Sequence, residues 1–182
     1  PKGTFNLHGS LLPQYRGAAP IHRAVMNGET QTGVTTFFLK QEIDTGAVIF
    51  SEKIKIEPAD TTGMVHDKLM QIGGELVVKT VNAIEQNSFT TTEQNKLTAD
   101  ASTLKHAPKI FKDDCLINWS NTAQHNYNQV RGLSPYPAAF TYLTNAEGQS
   151  LQLKIFFATK EEAATPVEPG LISTDEKSYL KI

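Results

Sequence analysis

The sequence predicts an α/β segment followed by a small β-barrel-like segment, over 182 residues. Three observations lead there. Strand-like runs alternate with helical periodicity through the first 87 residues. A Thr-, Gln- and Asn-rich stretch over residues 88–107, closing on Ala107-Pro108, interrupts that pattern. Beyond it, short strand-like runs recur between turn residues, as in a small β-barrel. The expected organisation is an α/β unit at 1–87, a partly ordered linker at 88–107 and a barrel-like unit at 108–182.

Thr4 to His8 alternates, with Phe5 and Leu7 on one face and Asn6 and His8 on the other, which is a strand stopped by Gly9-Ser10. After Gly17, Pro20 near a first turn and Gly28 past the end bracket a short helix. Gly33 opens a β-branched and aromatic run, Val34 to Leu39, and Ala47 to Ile56 forms a second, so the two are expected to pair as a hairpin across Lys40 to Gly46. Asp60 is the expected N-cap of a long helix whose apolar stripe is Val65, Leu69, Ile72, Leu76, Val77, Val81 and Ile84. Gly73-Gly74 costs that helix about 1 kcal/mol per Gly relative to Ala, a cost that close packing at this point would explain.

Past Pro108, Ser120 is the expected N-cap of a helix reaching Arg131, with Gly132 at its end. Strands are expected at Ala138–Leu143, Leu151–Thr159 and Ser178–Ile182, with turns at Asn145–Gly148 and at Val167–Gly170 leading into Leu171-Ile172. The chain begins at Pro1 rather than Met and ends in the strand-like Ser178 to Ile182, which reads as a segment excised from a longer protein.

Composition narrows the function classes. With 39% hydrophobic and 20% charged residues, the chain is of ordinary soluble globular type, not collagen, coiled coil or a disordered tail. No stretch of about 18 uncharged apolar residues is present to form a membrane-spanning helix, and no basic segment precedes an apolar run as in a secretory signal. Cys115 stands alone, so no internal disulfide or thiolate zinc cluster is possible, and a buried, inert thiol in a reducing cytoplasm is expected. The net charge of −2 balances 17 basic against 19 acidic residues. Lys2, Arg16 and Arg23 precede the first acid, Glu29, but from residue 106 onward seven basic face eight acidic side chains. That is not the footprint of a strong, non-specific nucleic-acid binder.

Asn6 and His8, two apart on one strand and just before a Gly, project from the same face at its C-terminal end, where open α/β sheets bind ligands. An amide beside an imidazole suits stabilisation of an oxyanion, since both can aim N–H groups at it; a polar pair on a solvated edge strand is the competing reading. Asp44, in Ile43-Asp-Thr-Gly46, would orient the His8 ring and favour its charged form if brought near it, although Asp-Thr-Gly is equally a plain turn. Ser10 lies in His-Gly-Ser-Leu-Leu-Pro rather than a Gly-x-Ser-x-Gly elbow, so a serine nucleophile is disfavoured. His22, His66, His106 and His125 read as surface residues, none in helical His-x-x-x-His spacing for a metal. Asn118-Trp-Ser120 fits the glycosylation pattern only by chance, given no sign of secretion.

Together, Asn6-Leu-His-Gly-Ser-Leu-Leu-Pro13, Tyr15-Arg-Gly-Ala-Ala-Pro20, Gly33-Val-Thr and Ile43-Asp-Thr-Gly46 resemble the folate-dependent formyltransferases. Ile117-Asn-Trp-Ser120 and Ser134-Pro-Tyr-Pro137 resemble the opening of that family's C-terminal domain, so the resemblance covers essentially the whole chain. It implies the C-terminal half of a Rossmann-like catalytic domain followed by an incomplete OB-like barrel. It implies Asn6, His8 and Asp44 as a catalytic trio, without metal. Ser10, Leu11, Leu12 and Pro13 would form a loop against the folate, with a cis Leu12–Pro13 bond. It further implies 10-formyltetrahydrofolate as donor and, within the family, the branch whose acceptor is the amino group of methionyl initiator tRNA, in translation initiation. A cytoplasmic monomer is expected. The family's first third, with much of the folate pocket and the acceptor-stem loop, is missing from the match, so the segment alone is expected to be inactive. The rival branch formylates amino sugars on nucleotides; a rival of another class is a non-catalytic RNA-binding OB module.

Overall fold

The structure is a computed structural model and describes residues 2–145, 147–161 and 168–182. The first half is built on a three-stranded sheet, β1 (Phe5–His8), β2 (Gln31–Phe38) and β3 (Val48–Lys55), in that order. Both pairings are antiparallel, with His8 opposite Thr35 and Thr36 opposite Phe50. The hairpin expected between the second and third runs is thus formed. Strand β2 is buried at six consecutive positions, Thr32 to Phe37. A strand covered on both faces loses the polar/apolar alternation of a half-exposed one, as this run does.

Helix α1 (Pro20–Met26) opens on its proline and closes at Gly28, whose φ is +71°. Helix α2 (Thr62–Glu85) lies on the sheet. Its N-cap is Thr61, whose Oγ1 accepts from the Met64 N–H, not Asp60. Asp60 is buried one residue earlier, where its carboxylate accepts from the Glu57 N–H at 2.8 Å and pairs with Lys68 at 2.5 Å. Val65, Leu69 and Leu76 are buried as expected, but the stripe continues through Gly73, Thr80 and Ala83, and Val81 faces solvent. Thr80 replaces Val81 because its hydroxyl is satisfied locally: it donates to the Leu76 carbonyl at 2.7 Å and meets Thr36 Oγ1 at 2.9 Å. Gly73 explains half of the glycine pair, since a Cβ there would meet Leu7 at 2.9 Å; one at Gly74 would meet nothing within 4 Å.

Residues 88–107 run across this unit with two short 3-10 turns, Gln94–Lys96 and Ala101–Thr103. Thr92 exchanges both backbone hydrogen bonds with Val48, and Ala107, fully buried, donates to the Arg16 carbonyl. Ala107 joins Tyr15, Val25, Val34, Val65 and Leu76 in the principal core.

Helix α3 (Ala123–Leu133) is capped by Thr122, accepting from the His125 N–H at 3.1 Å, rather than by Ser120. Gly132 lies inside its last turn rather than beyond it, where a Cβ would meet the Met26 backbone nitrogen at 2.9 Å, so α3 packs closely on α1. The two units are joined further by Thr62 Oγ1 donating to the Gly132 carbonyl and by Arg131, buried, donating to the Asp60 carbonyl. A second core contains Cys115, Ile117, Val130, Leu133, Ala139 and Phe140. Cys115 is buried as expected, and burial, with Asp114 nearby, pushes its thiol pKa up.

Strands β4 (Ala139–Thr144) and β5 (Ser150–Ile155) form a hairpin, and β6 (Ser173–Thr174) pairs with β7 (Leu180–Lys181). No closed barrel forms among the described residues: each sheet there has two strands. Strand β5 stops four residues short of Thr159, and β7 covers only part of Ser178–Ile182. Leu151, Phe157 and Leu171 stay exposed, as expected where a two-stranded ribbon has no facing sheet. Val167 and Ala146 of the two expected turns lie outside the described residues. No described helix is long and apolar enough to cross a membrane.

Candidate active site

His8 ends β1 with only 7% of its surface exposed. Its Nδ1 lies 3.7 Å from Asp44 Oδ2, and its Nε2 lies 2.8 Å from the Tyr15 carbonyl oxygen. The ring therefore stands between two acceptors, both supplied by turns. The long separation from Asp44 in sequence is closed by the β2–β3 hairpin, whose connecting loop carries that carboxylate back over the end of β1. Asp44 Oδ2 also accepts from the Gly17 N–H at 3.0 Å.

Both turns contain a non-glycine residue in the left-handed region, Tyr15 at φ +60° and Asp44 at φ +54°. Such backbone costs about 1–3 kcal/mol per residue and persists only when the surroundings over-determine it. For Tyr15 they do. Its N–H donates to the Lys105 carbonyl at 2.7 Å, and its hydroxyl donates to Glu29 at 2.6 Å and accepts from Asn27 at 3.0 Å. Burial and the Glu29 carboxylate push the Tyr15 hydroxyl well above the ordinary phenol range. Partial burial alone would raise Glu29, but hydrogen bonds from Lys105 and Tyr15 outweigh it and hold that carboxyl below its ordinary value.

Asn6 is exposed on β1, two residues before His8. Its Oδ1 accepts from the Leu7 N–H at 2.9 Å, which turns the amide nitrogen outward with no acceptor among the described residues. Of the two expected oxyanion donors, Asn6 has a free N–H, whereas the Nε2 of His8 is already engaged by the Tyr15 carbonyl.

The turn after β1 is held from inside. Ser10 is fully buried and donates to the Gln14 carbonyl at 2.6 Å, so its hydroxyl closes the turn and is not displayed. Thr35 Oγ1 donates to the Ser10 carbonyl and accepts from the Leu12 N–H. Leu12 and Pro13 are buried, Leu11 is half-buried, and the Leu12–Pro13 bond is cis. Among these four, Leu11 is the one side chain that is not buried. A concavity of about 400 Å³ between Lys2, Phe5, Val81 and Ile84 lies at the opposite end of β1 from His8. His66, His106 and His125 are exposed, and His22 is half-buried with its Nε2 3.0 Å from the Tyr136 carbonyl; no group of three metal-ligating side chains occurs among the described residues.

Sequence reasoning missed Gln94. It is 2% exposed, and its Nε2 donates to the carbonyls of Asp44 at 2.8 Å and Gly46 at 2.9 Å. Its Oε1 accepts from Arg16 Nε at 2.9 Å and Nη2 at 2.7 Å. Nothing in a Thr-, Gln- and Asn-rich stretch distinguishes one glutamine from its neighbours. Tyr15 and Arg16 lay inside a motif already singled out, yet what each holds, the His8 ring through the Tyr15 carbonyl and Gln94 through the Arg16 guanidinium, depends on tertiary partners that residue type does not signal.

A strained turn, a buried imidazole facing a carboxylate and an exposed amide thus lie around the end of β1. Residues 1–81 match the formyl transferase domain and residues 109–182 the formyl transferase C-terminal domain. The chain belongs to the formyl transferase family. Among its curated relatives, it is 52% identical over 180 residues to a methionyl-tRNA formyltransferase of Bacteroides fragilis, which covers 99% of this chain and 55% of that protein. It is 46% identical over 175 residues to the methionyl-tRNA formyltransferase of Flavobacterium johnsoniae, covering 96% and 54%. The chain thus spans about half the length of these relatives.

Solved structures share the fold. A 4-N formyltransferase from Francisella tularensis superposes with a TM-score of 0.68 at 22% identity, over 86% of this chain and 63% of that one. An N-formyltransferase from Helicobacter canadensis, solved with folinic acid and dTDP-3-aminofucose, superposes with a TM-score of 0.65 at 24% identity, over 74% and 49%.

Proposed function

We propose that the protein to which this chain belongs transfers a formyl group from 10-formyltetrahydrofolate to the amino group of methionyl initiator tRNA, in the cytoplasm and as a monomer. The observation that carries this reading is the buried His8 held between Asp44 and the Tyr15 carbonyl, beside the outward-facing amide of Asn6. The 52% identity to a methionyl-tRNA formyltransferase supports the tRNA acceptor.

In the proposed reaction the amine nitrogen bonds to the formyl carbon, and the bond from that carbon to the donor nitrogen breaks. Asn6 donates its free N–H to the formyl oxygen as negative charge develops there. His8 can add a second donor only by turning Nε2 away from the Tyr15 carbonyl, a rearrangement that substrate closure can supply. Asp44 supports charge on His8 and, through water, accepts the proton leaving the amine; that proton finishes on the departing donor nitrogen. Leu11 and the backbone of the Ser10–Pro13 turn would face the folate. Residues 1–87 serve as part of the catalytic domain, 88–107 as the connection and 108–182 as part of an OB-like barrel that positions the tRNA. The segment alone is inactive.

The test is formyl transfer by the full-length parent, offered methionyl initiator tRNA and a nucleotide-linked amino sugar separately. Transfer to the tRNA alone is expected; transfer to the sugar alone would overturn the acceptor while leaving the chemistry. The same protein carrying Asn6→Ala is expected to lose about 10² to 10³ in rate, the cost of one oxyanion donor. Unchanged turnover would remove Asn6 from the mechanism.

A further inference from the structure

The geometry points to Gln94 as a positioning residue that fixes the Asp44 loop against His8 from outside the sheet and helices of the catalytic unit. This inference rests on the proposed formyl-transfer reading of the site.

The argument begins with what surrounds Asp44. Its backbone is left-handed, a conformation that must be enforced by neighbours. Its carboxylate accepts from Gly17 N–H and faces His8 through Oδ2, and among the described residues it makes no hydrogen bond to the backbone of its own loop. The anchor is the Gln94 amide, which donates one N–H to the carbonyl of Asp44 and the other to that of Gly46. Two donors from one planar group fix both the position and the tilt of the three-residue segment between them.

Gln94 is itself held on the other side. Its Oε1 receives a forked pair of N–H groups from Arg16, the residue after Tyr15, whose carbonyl engages His8. One amide orientation satisfies all four contacts at once: nitrogen to the two carbonyls, oxygen to the guanidinium. Flipping it would place the amide oxygen against two carbonyl acceptors and the amide N–H groups against the guanidinium donors. The glutamine therefore joins the two turns that flank the imidazole. The segment that presents it is fastened close by, through the paired Thr92 and Val48 backbone hydrogen bonds. A looser loop would leave Asp44 free to drift from His8, and a displacement of about 1 Å at a reacting group can cost about 10²-fold in rate.

The experiment uses the full-length parent and a double-mutant cycle with Gln94→Glu and Asp44→Asn. Glutamate keeps an oxygen for Arg16 but replaces both loop donors with an acceptor, so it breaks the Asp44 side of the strut and spares the Arg16 side. The expected result is a kcat lowered about 10- to 100-fold, with KM for donor and acceptor changed less than about threefold. In the Asp44→Asn background the same substitution is expected to cost less than about threefold more, because residues acting through one contact are not additive. Gln94→Met, uncharged and of similar length, is carried through the same cycle, so a folding failure of the glutamate variant still leaves a measurement. Equal losses in both backgrounds, or a raised KM with unchanged kcat, would overturn the assignment. Asp44→Asn without effect would overturn it together with the catalytic trio, and that outcome is distinct because it appears with Gln94 intact.

Discussion

Replacing Gly46 by Ala tests whether the position of the Asp44 loop controls the chemistry. A Cβ at Gly46 would fall on the carbonyl oxygen of Phe38 and also meet the Phe37 ring at 3.3 Å. The obstacle is backbone at the end of β2, so no rotamer change relieves it. Either the hairpin mouth opens, giving up the Phe38 N–H bond to the Ala47 carbonyl (3.0 Å) and the Gln94 bond to Gly46, or the loop slides and takes Asp44 with it. Two lost hydrogen bonds at about 1 kcal/mol each, with some overpacking strain, give a destabilisation of about 2–4 kcal/mol. A loop shift of about 1 Å costs about 10²-fold in rate. Denaturant unfolding and formyl-transfer kinetics of the full-length parent read the two separately. Turnover within about threefold of the unmodified enzyme, at unchanged stability, would refute the reasoning, because the loop would then accept a displacement that its packing forbids.

Two further outcomes follow from the same packing. Gly74→Ala, exposed in mid-helix with nothing within 4 Å of the new methyl, should stabilise the protein by about 0.5–1 kcal/mol in denaturant unfolding, whereas at Gly73 the contact with Leu7 should cancel that gain. Glu29, whose folded pKa is held below its unfolded value, contributes stability that is present above the unfolded pKa and lost as the pH falls through the folded one; Glu29→Gln should flatten the acid limb of the stability-against-pH curve, and an unchanged limb would count against the Tyr15–Glu29–Lys105 cluster as the support of the Tyr15 turn.

Elements with a strong local pattern were readable from the sequence. The alternation of Phe5 to His8 marks a strand, the two β-branched runs mark a hairpin, and the spacing of Val65, Leu69 and Leu76 marks a buried helix face; each is where it was expected. Helix starts were misplaced by one or two residues, because Asp60, Thr61, Ser120 and Thr122 all carry the oxygen a cap needs. What decides among them is tertiary: Asp60 is drawn inward by Lys68 and by the Glu57 N–H, leaving Thr61 to cap. Val81 was misassigned for a similar reason, since a threonine whose hydroxyl bonds its own helix is as buriable as a valine. How the strands of the second unit pair was not readable, because strand-like runs fix local conformation but not how many strands pair around them.

The stretch at 88–107 marks where composition and structure part most clearly. Polar, turn-rich sequence satisfies its hydrogen bonds with water as readily as with protein, so its composition favours a solvated connection. Here the partners are specific backbone groups of the first unit: Tyr15 N–H and Arg16 carbonyl toward Lys105 and Ala107, Val48 toward Thr92, and the Asp44 and Gly46 carbonyls toward Gln94. Each of those groups belongs to a turn or strand end that cannot satisfy itself, because a left-handed residue or a loop mouth leaves donors and acceptors pointing outward. A buried backbone group without a partner costs about as much as a lost hydrogen bond, so the turns that shape His8 and the stretch that covers them stabilise each other. The strain at Tyr15 and Asp44 is therefore held by residues that do no chemistry, which is why the trio was legible as a motif and its support was not.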